Sequence, residues 1–145
     1  PLAYAKNLRV LLLAKNDIID LSPISRLRIR WLDISHNPIT DLSPLAEMKS
    51  LETLWASHMN VKDVSPLQKL NRLRYVSLDA NQVQEVGSLS HLHNIEFLGL
   101  SQNEIEDFRV FEKHKQMFVL VKGNPVVHCP EKGVWVNLCM EERDQ

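Results

Sequence analysis

Residues 29–48 read IRWLDISHNPITDLSPLAEM, and this stretch decides the fold because its pattern recurs along the chain. A shift of 21 or 22 residues places its apolar positions on those of the neighbouring stretches, and an asparagine and an Asp-x-Ser-Pro step recur in several copies. Self-similarity at a fixed period of roughly 20 to 50 residues is typical of solenoids, in which each repeat packs on its neighbours. The sequence therefore predicts a repeat protein.

The copies share the pattern L-x-x-L-x-L-x-x-N-x-L, which residues 29–39 fill with Ile29, Leu32, Ile34, Asn37 and Ile39. In this pattern the chain resembles leucine-rich-repeat proteins over about residues 1–128. The period of 21 to 22 residues, with Asp-Leu-Ser-Pro-Leu in its second half, is most similar to the internalin class of bacterial surface proteins and to the related phosphatase-regulator class of eukaryotes. The resemblance favours a bacterial source.

This resemblance implies an α/β fold: a curved leucine-rich-repeat solenoid with a parallel β-sheet on its concave face and short 3₁₀ or helical turns on its convex face. The period-two alternation around Leu32 and Ile34 agrees, because it predicts a short strand with these residues inward and the intervening residues outward. We expect asparagine side chains to turn inward after each strand and to bond backbone groups, at positions 16, 37, 81, 103 and 124.

The second half of each repeat predicts a convex turn. Ser22, Ser43 and Ser65 are each followed by proline, so we expect the serine to cap a helical turn and the proline to occupy its first position. An acidic column precedes these turns, at Asp20, Asp41, Asp63, Glu85 and Asp107. Regular spacing on the convex edge favours a solvated or backbone-bonding role over a ladder of metal sites.

Repeat three departs from the pattern. Ala56 stands at a core leucine position and Met59 at the asparagine position, with Asn60 one place later. Methionine fills irregular space well, so the change is either a tolerated variation of the core or the mark of a looser turn. The second interpretation predicts faster amide exchange over residues 54–61 than in the repeats on both sides.

The repeats also predict the organisation of the chain. Residues 1–128 form the repeats, with a partial repeat at 1–7, five repeats from residue 8 and a shortened last strand near 116–124, and residues 129–145 form a C-terminal cap and tail. Residues 1–7 match 44–50 position by position, so we expect a fragment that begins within a repeat and lacks its N-terminal part and any signal peptide. An open N-terminal edge would allow end-to-end self-association.

Composition and motifs narrow the function. The net charge of -1, from 17 basic and 18 acidic residues, gives no reason to expect nucleic acid or an anionic membrane as a partner. No apolar run reaches the roughly 18 residues of a membrane helix. The sequence has no phosphate loop, no G-x-S-x-G and no H-E-x-x-H, so we predict neither an enzyme nor a cofactor.

The residues that alternate outward from the strands carry the functional signal. Aromatic side chains recur there, at Trp31, Trp55, Tyr75, Phe97 and Phe118. Aromatic residues also suit strands, and they pack on one another in a ladder without any ligand. A water-facing aromatic row is, however, an exposed apolar patch of the kind that marks interaction sites, and Trp and Tyr dominate binding hot spots. We therefore predict that these residues bind a protein partner.

Polar residues are predicted to surround this row. Asp33 and Asp79 lie on the same face, and His36 and His58 occupy equivalent positions at the ends of neighbouring strands. Two imidazoles at strand spacing could share a metal or respond to pH, but the sequence fixes no third ligand. We assign all four residues to the partner-binding rim and predict no metal site.

The C-terminal segment contains both cysteines, Cys129 and Cys139. After Gly123, Asn124 and Pro125 it resembles the N-P…C-P…C caps of bacterial leucine-rich-repeat proteins, in which the cysteines can pair. The resemblance implies a disulfide and with it a secreted, periplasmic or cell-surface location. Two free thiols in a cytosolic protein are the alternative.

Two classes of function remain. The first is a non-enzymatic module that recognises a protein through the aromatic concave face. The second is a structural scaffold or spacer without a concave ligand, and the chain could also be the recognition segment of a larger enzyme or effector. A fold of this family does not by itself name a partner.

Overall fold

Strands of three residues recur once per repeat and pair in sequence order. A computed structural model describes residues 5, 7–114 and 116–130. Within these residues the strands are β1 Val10–Leu12, β2 Trp31–Asp33, β3 Thr53–Trp55, β4 Tyr75–Ser77, β5 Phe97–Gly99 and β6 Phe118–Leu120. They form one parallel sheet in the order β1-β2-β3-β4-β5-β6, which confirms the predicted solenoid.

The sheet pairs residue to residue without a stagger. Trp31 lies opposite Val10 and Thr53, and Asp33 lies opposite Leu12 and Trp55. The middle residue of every strand points inward and is at most 8% exposed: Leu11, Leu32, Leu54, Val76, Leu98 and Val119. Equivalent residues of successive repeats therefore stack in columns about 4.8 Å apart, on the outer face as well as inside.

Short 3₁₀ helices occupy the opposite side of each repeat. They run over Ser22–Ile24, Ser43–Leu45, Ser65–Lys69, Gly87–His91 and Arg109–Phe111. Each buries one large apolar residue against the inner face of the sheet: Ile24, Leu45, Leu67, Leu89 and Phe111. The core is thus one continuous layer between the strands and these turns, and each turn is too short to be stable without it.

The prediction that serine side chains cap these helices is wrong. Ser22 and Ser43 are the first residues of their 3₁₀ helices, and no serine side chain caps these helices. The acidic column provides the caps instead, because the Ser22 N–H donates to Asp20 Oδ1 and the Ser43 N–H to Asp41 Oδ1, both at 2.8 Å. Equivalent bonds join Ser65 to Asp63 and Arg109 to Asp107, which confirms the backbone-bonding role predicted for these four acids.

These bonds also act on the titration of the acids. Hydrogen bonds from the Ser22 side chain and backbone lower the pKa of Asp20 below 3.8, and the Ser43 backbone and side chain do the same to Asp41. A carboxylate that accepts such bonds is stabilised in its charged form. Asp20 and Asp41 therefore stay ionised to lower pH than an ordinary aspartate does.

Inward asparagines join successive repeats, as predicted. The Asn81 side chain accepts from the Val61 N–H and donates to the carbonyls of Ala56 and Leu78, at 2.8 to 3.1 Å. Asn37, Asn103 and Asn124 form the same set of bonds in their repeats. Each therefore satisfies buried backbone groups in its own repeat and in the one before it. Asn16 differs from the prediction, because its side chain is exposed and its described bonds go to the Leu13 and Ala14 carbonyls of its own repeat. We call the five residues the asparagine ladder.

Repeat three interrupts the asparagine ladder. Met59 is buried at 6% exposure where an asparagine would accept from Ile39. Ile39 is fully buried, and within the described residues its N–H donates no hydrogen bond, although its carbonyl accepts from Asn60 at 3.3 Å. The polar connection between repeats two and three is therefore weaker than the others, and the looser turn predicted there remains a prediction.

The end of the described chain carries one of the two cysteines. Cys129 is half-buried against the core and forms no disulfide within the described residues. Cys139 lies outside them, so the Cys129–Cys139 disulfide and the cap at 129–145 remain predictions. Over the described residues, no helix combines the length and apolar character that crossing a bilayer requires.

Candidate protein-binding face

The outward residues of the strands form three columns across the sheet. The first residues of the strands form the first column, Val10, Trp31, Thr53, Tyr75, Phe97 and Phe118, and the last residues form the second, Leu12, Asp33, Trp55, Ser77, Gly99 and Leu120. The third column, two residues further on, is Ala14, Ser35, Ser57, Asp79, Ser101 and Lys122. We call this surface the sheet face.

The predicted aromatic residues do lie on this face. Trp31, Trp55, Tyr75 and Phe118 are between 39% and 48% exposed, and Phe97 is half-buried. They do not form one continuous ladder, because only Phe97 and Phe118 stack, with ring centroids 6.0 Å apart. The two indoles lie in different columns and form no ring contact within the described residues. Much of the aromatic surface is thus presented to solvent.

Alternating charges border the first column where the strands begin. The Arg30 guanidinium donates two hydrogen bonds to the Glu52 carboxylate, and Arg74 donates two to Glu96, two repeats further along the chain. These arginines and glutamates neutralise one another in pairs along the border. Opposite charges at 30, 52, 74 and 96 recur at the repeat period, so this pattern could have been predicted from the sequence.

Tyr75 is held in place by this border. Its hydroxyl donates to Glu96 Oε2 at 2.7 Å, and the Arg74 guanidinium lies 5.5 Å from the centre of its ring. The hydrogen bond from Tyr75, and those from Arg74, lower the pKa of Glu96, while the same bond raises the pKa of Tyr75. A fixed aromatic ring loses less conformational entropy when a partner covers it.

Asp33 and Asp79 differ in what surrounds them. Asp79 accepts from the Ser101 N–H with Oδ1 and from the Ser77 hydroxyl with Oδ2, both at 2.7 Å. Its carboxylate lies over Gly99, where an added Cβ would meet Oδ2 at 2.4 Å, so Gly99 is needed for this arrangement. Asp33 accepts one bond, from the Ser35 N–H at 3.0 Å. Asp79 is therefore a structural acid, and Asp33 is not saturated.

The two histidines meet as the sequence predicted. His36 and His58 stack with ring centroids 4.4 Å apart and planes inclined by 8°, at the edge of the sheet face. Both have left-handed backbone, with φ of 56° and 54°. Every equivalent position is left-handed, including Lys15, Ala80, Gln102 and Gly123. This conformation is a requirement of the repeat and carries no functional information by itself.

Comparisons with known proteins agree with this geometry. The family description "Leucine Rich repeats (2 copies)" matches residues 27–69 and 49–91. An internalin, InlF, of Listeria monocytogenes has a solved structure that is 28% identical and matches 86% of this chain with a TM-score of 0.83. The described chain is a leucine-rich-repeat solenoid, and its fold is similar to that of internalins. No curated protein matches its sequence.

Two further structures support the internalin-like fold. Internalin C2 of Listeria monocytogenes is 28% identical over 87% of this chain, with a TM-score of 0.72. A leucine-rich-repeat protein of Leptospira interrogans, at 23% identity over 86% of the chain and a TM-score of 0.79, shows the fold alone. These three structures are bacterial, in agreement with the predicted source. The chain spans 37%, 66% and 34% of the InlF, C2 and Leptospira chains.

The internalin-like solenoid brings together only some of the residues that a metal site would need. His36 and His58 form a pair, and within the described residues no third His, Cys, Asp or Glu completes a set that could hold a metal ion. Asp33 and Asp79 are two strands apart, in different columns. The sheet face is thus aromatic and polar in the described part of the chain.

Proposed function

We propose that this internalin-like chain is a non-enzymatic recognition module that binds a protein partner through the sheet face. Leucine-rich repeats are generally protein-interaction modules, and their strands line an extended concave surface. The observation that carries the proposal is the exposure of four large aromatic side chains, Trp31, Trp55, Tyr75 and Phe118, on one side of a hydrogen-bonded sheet. A rigid backbone presents them without the cost of ordering a loop.

The chemistry of this surface supports the proposal. Trp and Tyr supply large contact areas with few rotatable bonds, and they are enriched at the centre of interfaces. The Arg30–Glu52 and Arg74–Glu96 pairs form a polar border beside them, as the rim of an interface requires. Asp33, Asp79, His36 and His58 complete the polar surroundings and belong to the same proposed site.

The test is capture by immobilised protein from cell and culture extracts of the source organism. We expect the Trp31→Ala/Tyr75→Ala double variant to lose a protein that the wild type retains, with its fold unchanged by circular dichroism. The matched control is Ile19→Ala/Val110→Ala, which removes exposed apolar residues away from the strands. Equal capture by the wild type and the double variant would favour a scaffold without a ligand on this face.

A further inference from the structure

Three apolar residues are the neighbours of Asp33 on the sheet face, by strand register and alternation. Trp31 precedes it by two residues on β2, so both side chains point outward. Trp55 of β3 and Leu12 of β1 are its register partners on the two sides. All three neighbours are exposed, at 46%, 41% and 63%. An acid in such surroundings is unusual, because a partner that covers the aromatic residues must also cover the charge.

Asp33 has no counter-charge of its own. Its described hydrogen bond is accepted from the Ser35 N–H by Oδ1, and no described residue donates to Oδ2. Within the described residues it forms no ion pair, and the nearby arginine on the border, Arg30, is engaged by Glu52. Burial of a carboxylate without a cation or donor is costly, so the covering surface must supply one.

We propose that the partner inserts a basic side chain, preferably arginine, between Trp31 and Trp55 against Asp33. This inference rests on the proposed function and names the chemistry that the sheet face recognises. A guanidinium suits this site, because its flat face can pack on an indole while its N–H groups bond a carboxylate. Asp79 does not offer the same site, since Ser77 and Ser101 already occupy both of its oxygens.

The geometry allows one cation to touch all three groups. Register partners in adjacent parallel strands are about 4.8 Å apart, and outward residues of one strand are about 6.6 Å apart. A cation–π contact reaches to about 6 Å from a ring centre. Trp31, Asp33 and Trp55 are therefore close enough for a single guanidinium to lie between the indoles and to bond the carboxylate.

The test is titration of the full chain with N-acetyl-arginine amide, followed through the indole N–H signals of Trp31, Trp55 and Trp135 by nuclear magnetic resonance. We expect saturable shifts of the Trp31 and Trp55 signals, absent with the neutral analogue N-acetyl-citrulline amide. Asp33→Asn should weaken binding by about threefold or more. Glu106→Gln removes an equal charge from the exposed edge of repeat five and should leave binding unchanged.

Three results of the titration would overturn this inference. They are equal shifts with the citrulline amide, no shift with the arginine amide, and equal binding by the wild type and Asp33→Asn. Partner capture that is lost in Trp31→Ala/Tyr75→Ala but fully retained in Asp33→Asn would rule out the proposed arginine site and leave the proposed function standing. Capture retained by both variants would contradict the proposed function itself.

Discussion

The asparagine ladder and the sheet face lie a few residues apart in every repeat, yet they constrain the sequence in opposite ways. A ladder residue such as Asn81 is buried and makes three bonds to backbone groups in two repeats. A sheet-face residue such as Trp31 is nearly half exposed and makes no ring contact within the described residues. The ladder therefore contributes to stability through buried hydrogen bonds, while packing constrains the exposed side chains of the sheet face less.

A large loss of stability is expected from removing a ladder residue. Asn81→Met leaves the Val61 N–H and the Ala56 carbonyl without their partner, while the Leu78 carbonyl keeps its bond from Asn103, so we predict a loss of about 3 kcal/mol in the free energy of unfolding. Denaturant unfolding measures it. The control is Asn16→Met, whose exposed side chain bonds two carbonyls and should cost less than about 1 kcal/mol. Equal losses in the two variants would mean that the contribution of a ladder asparagine to stability does not depend on its burial.

Repeat three provides a natural break in the ladder. Because Met59 cannot bond the backbone of its own turn as Asn37 and Asn81 do, we expect the amides of residues 54–61 to exchange faster than those of 32–38 and 76–83. The Ile39 amide, which donates no described hydrogen bond, is left out of this comparison. Native-state hydrogen exchange measures this directly. Uniform protection across the three repeats would show that packing of Met59 compensates fully for the missing asparagine.

Restoring the ladder gives a smaller net effect. Met59→Asn supplies an acceptor for the Ile39 N–H but removes a buried apolar side chain, so we expect a stability within about 1 kcal/mol of the wild type. The exchange of the Ile39 amide should nevertheless slow, because it gains a hydrogen bond. An Ile39 amide that exchanges as before would indicate that the new side chain does not turn inward.

The sheet face should tolerate truncation. Trp31→Ala is expected to change the free energy of unfolding by about 1 kcal/mol or less, since the side chain is 46% exposed. Its neighbour Leu32 is fully buried, and Leu32→Ala should cost about 2 to 5 kcal/mol. Thermal or denaturant unfolding of both variants compares the two sides of one strand. A similar loss in both variants would mean that Trp31 stabilises the fold as much as a core residue does.

The smallest expected effect concerns the border of the sheet face. The Tyr75 hydroxyl is the main cause of the lowered pKa of Glu96, so Tyr75→Phe should raise that pKa toward the ordinary value of 4.5. A lowered carboxylate pKa stabilises the fold above the unfolded value and loses this effect as the pH falls through the folded value. Wild type and variant should therefore converge in stability below about pH 4.5.

Titration of the Glu96 carboxyl by nuclear magnetic resonance checks this prediction. Asp41 is the internal control, because Ser43 alone lowers its pKa by hydrogen bonding and the substitution is remote from it. An unchanged Glu96 pKa would mean that Arg74 holds the carboxylate without the tyrosine.

The comparison also explains what the sequence could predict. Inward positions recur with the repeat, so the strands around Leu32 and Leu54 and the role of Asn37 follow from the pattern alone. The serine caps were misplaced by one residue because the helix begins at Ser22 itself, whose N–H donates to Asp20 Oδ1, whereas a capping serine would precede the helix and accept from N–H groups within it. Repeat patterns do not distinguish these alternatives.

The sequence predicted that side chains on the sheet face point outward, but it did not predict which of them contact one another. The period of two places Trp31 and Trp55 outside, yet register puts them in different columns, so the expected aromatic ladder reduces to Phe97 and Phe118. The role of Gly99 beneath Asp79 needed coordinates, because it depends on the approach of two strands. Exposed rotamers and cross-strand contacts carry no periodic signal.

The central claim is that the ladder maintains the solenoid while the sheet face recognises a protein. Hydroxyl-radical footprinting of the chain with and without its captured partner tests it most directly, because aromatic side chains react readily when exposed. We predict that the partner protects Trp31, Trp55, Tyr75 and Phe118 and leaves Ile19 and Val110 as reactive as before. Protection of Ile19 and Val110 with unchanged labelling of the aromatic residues would contradict the account.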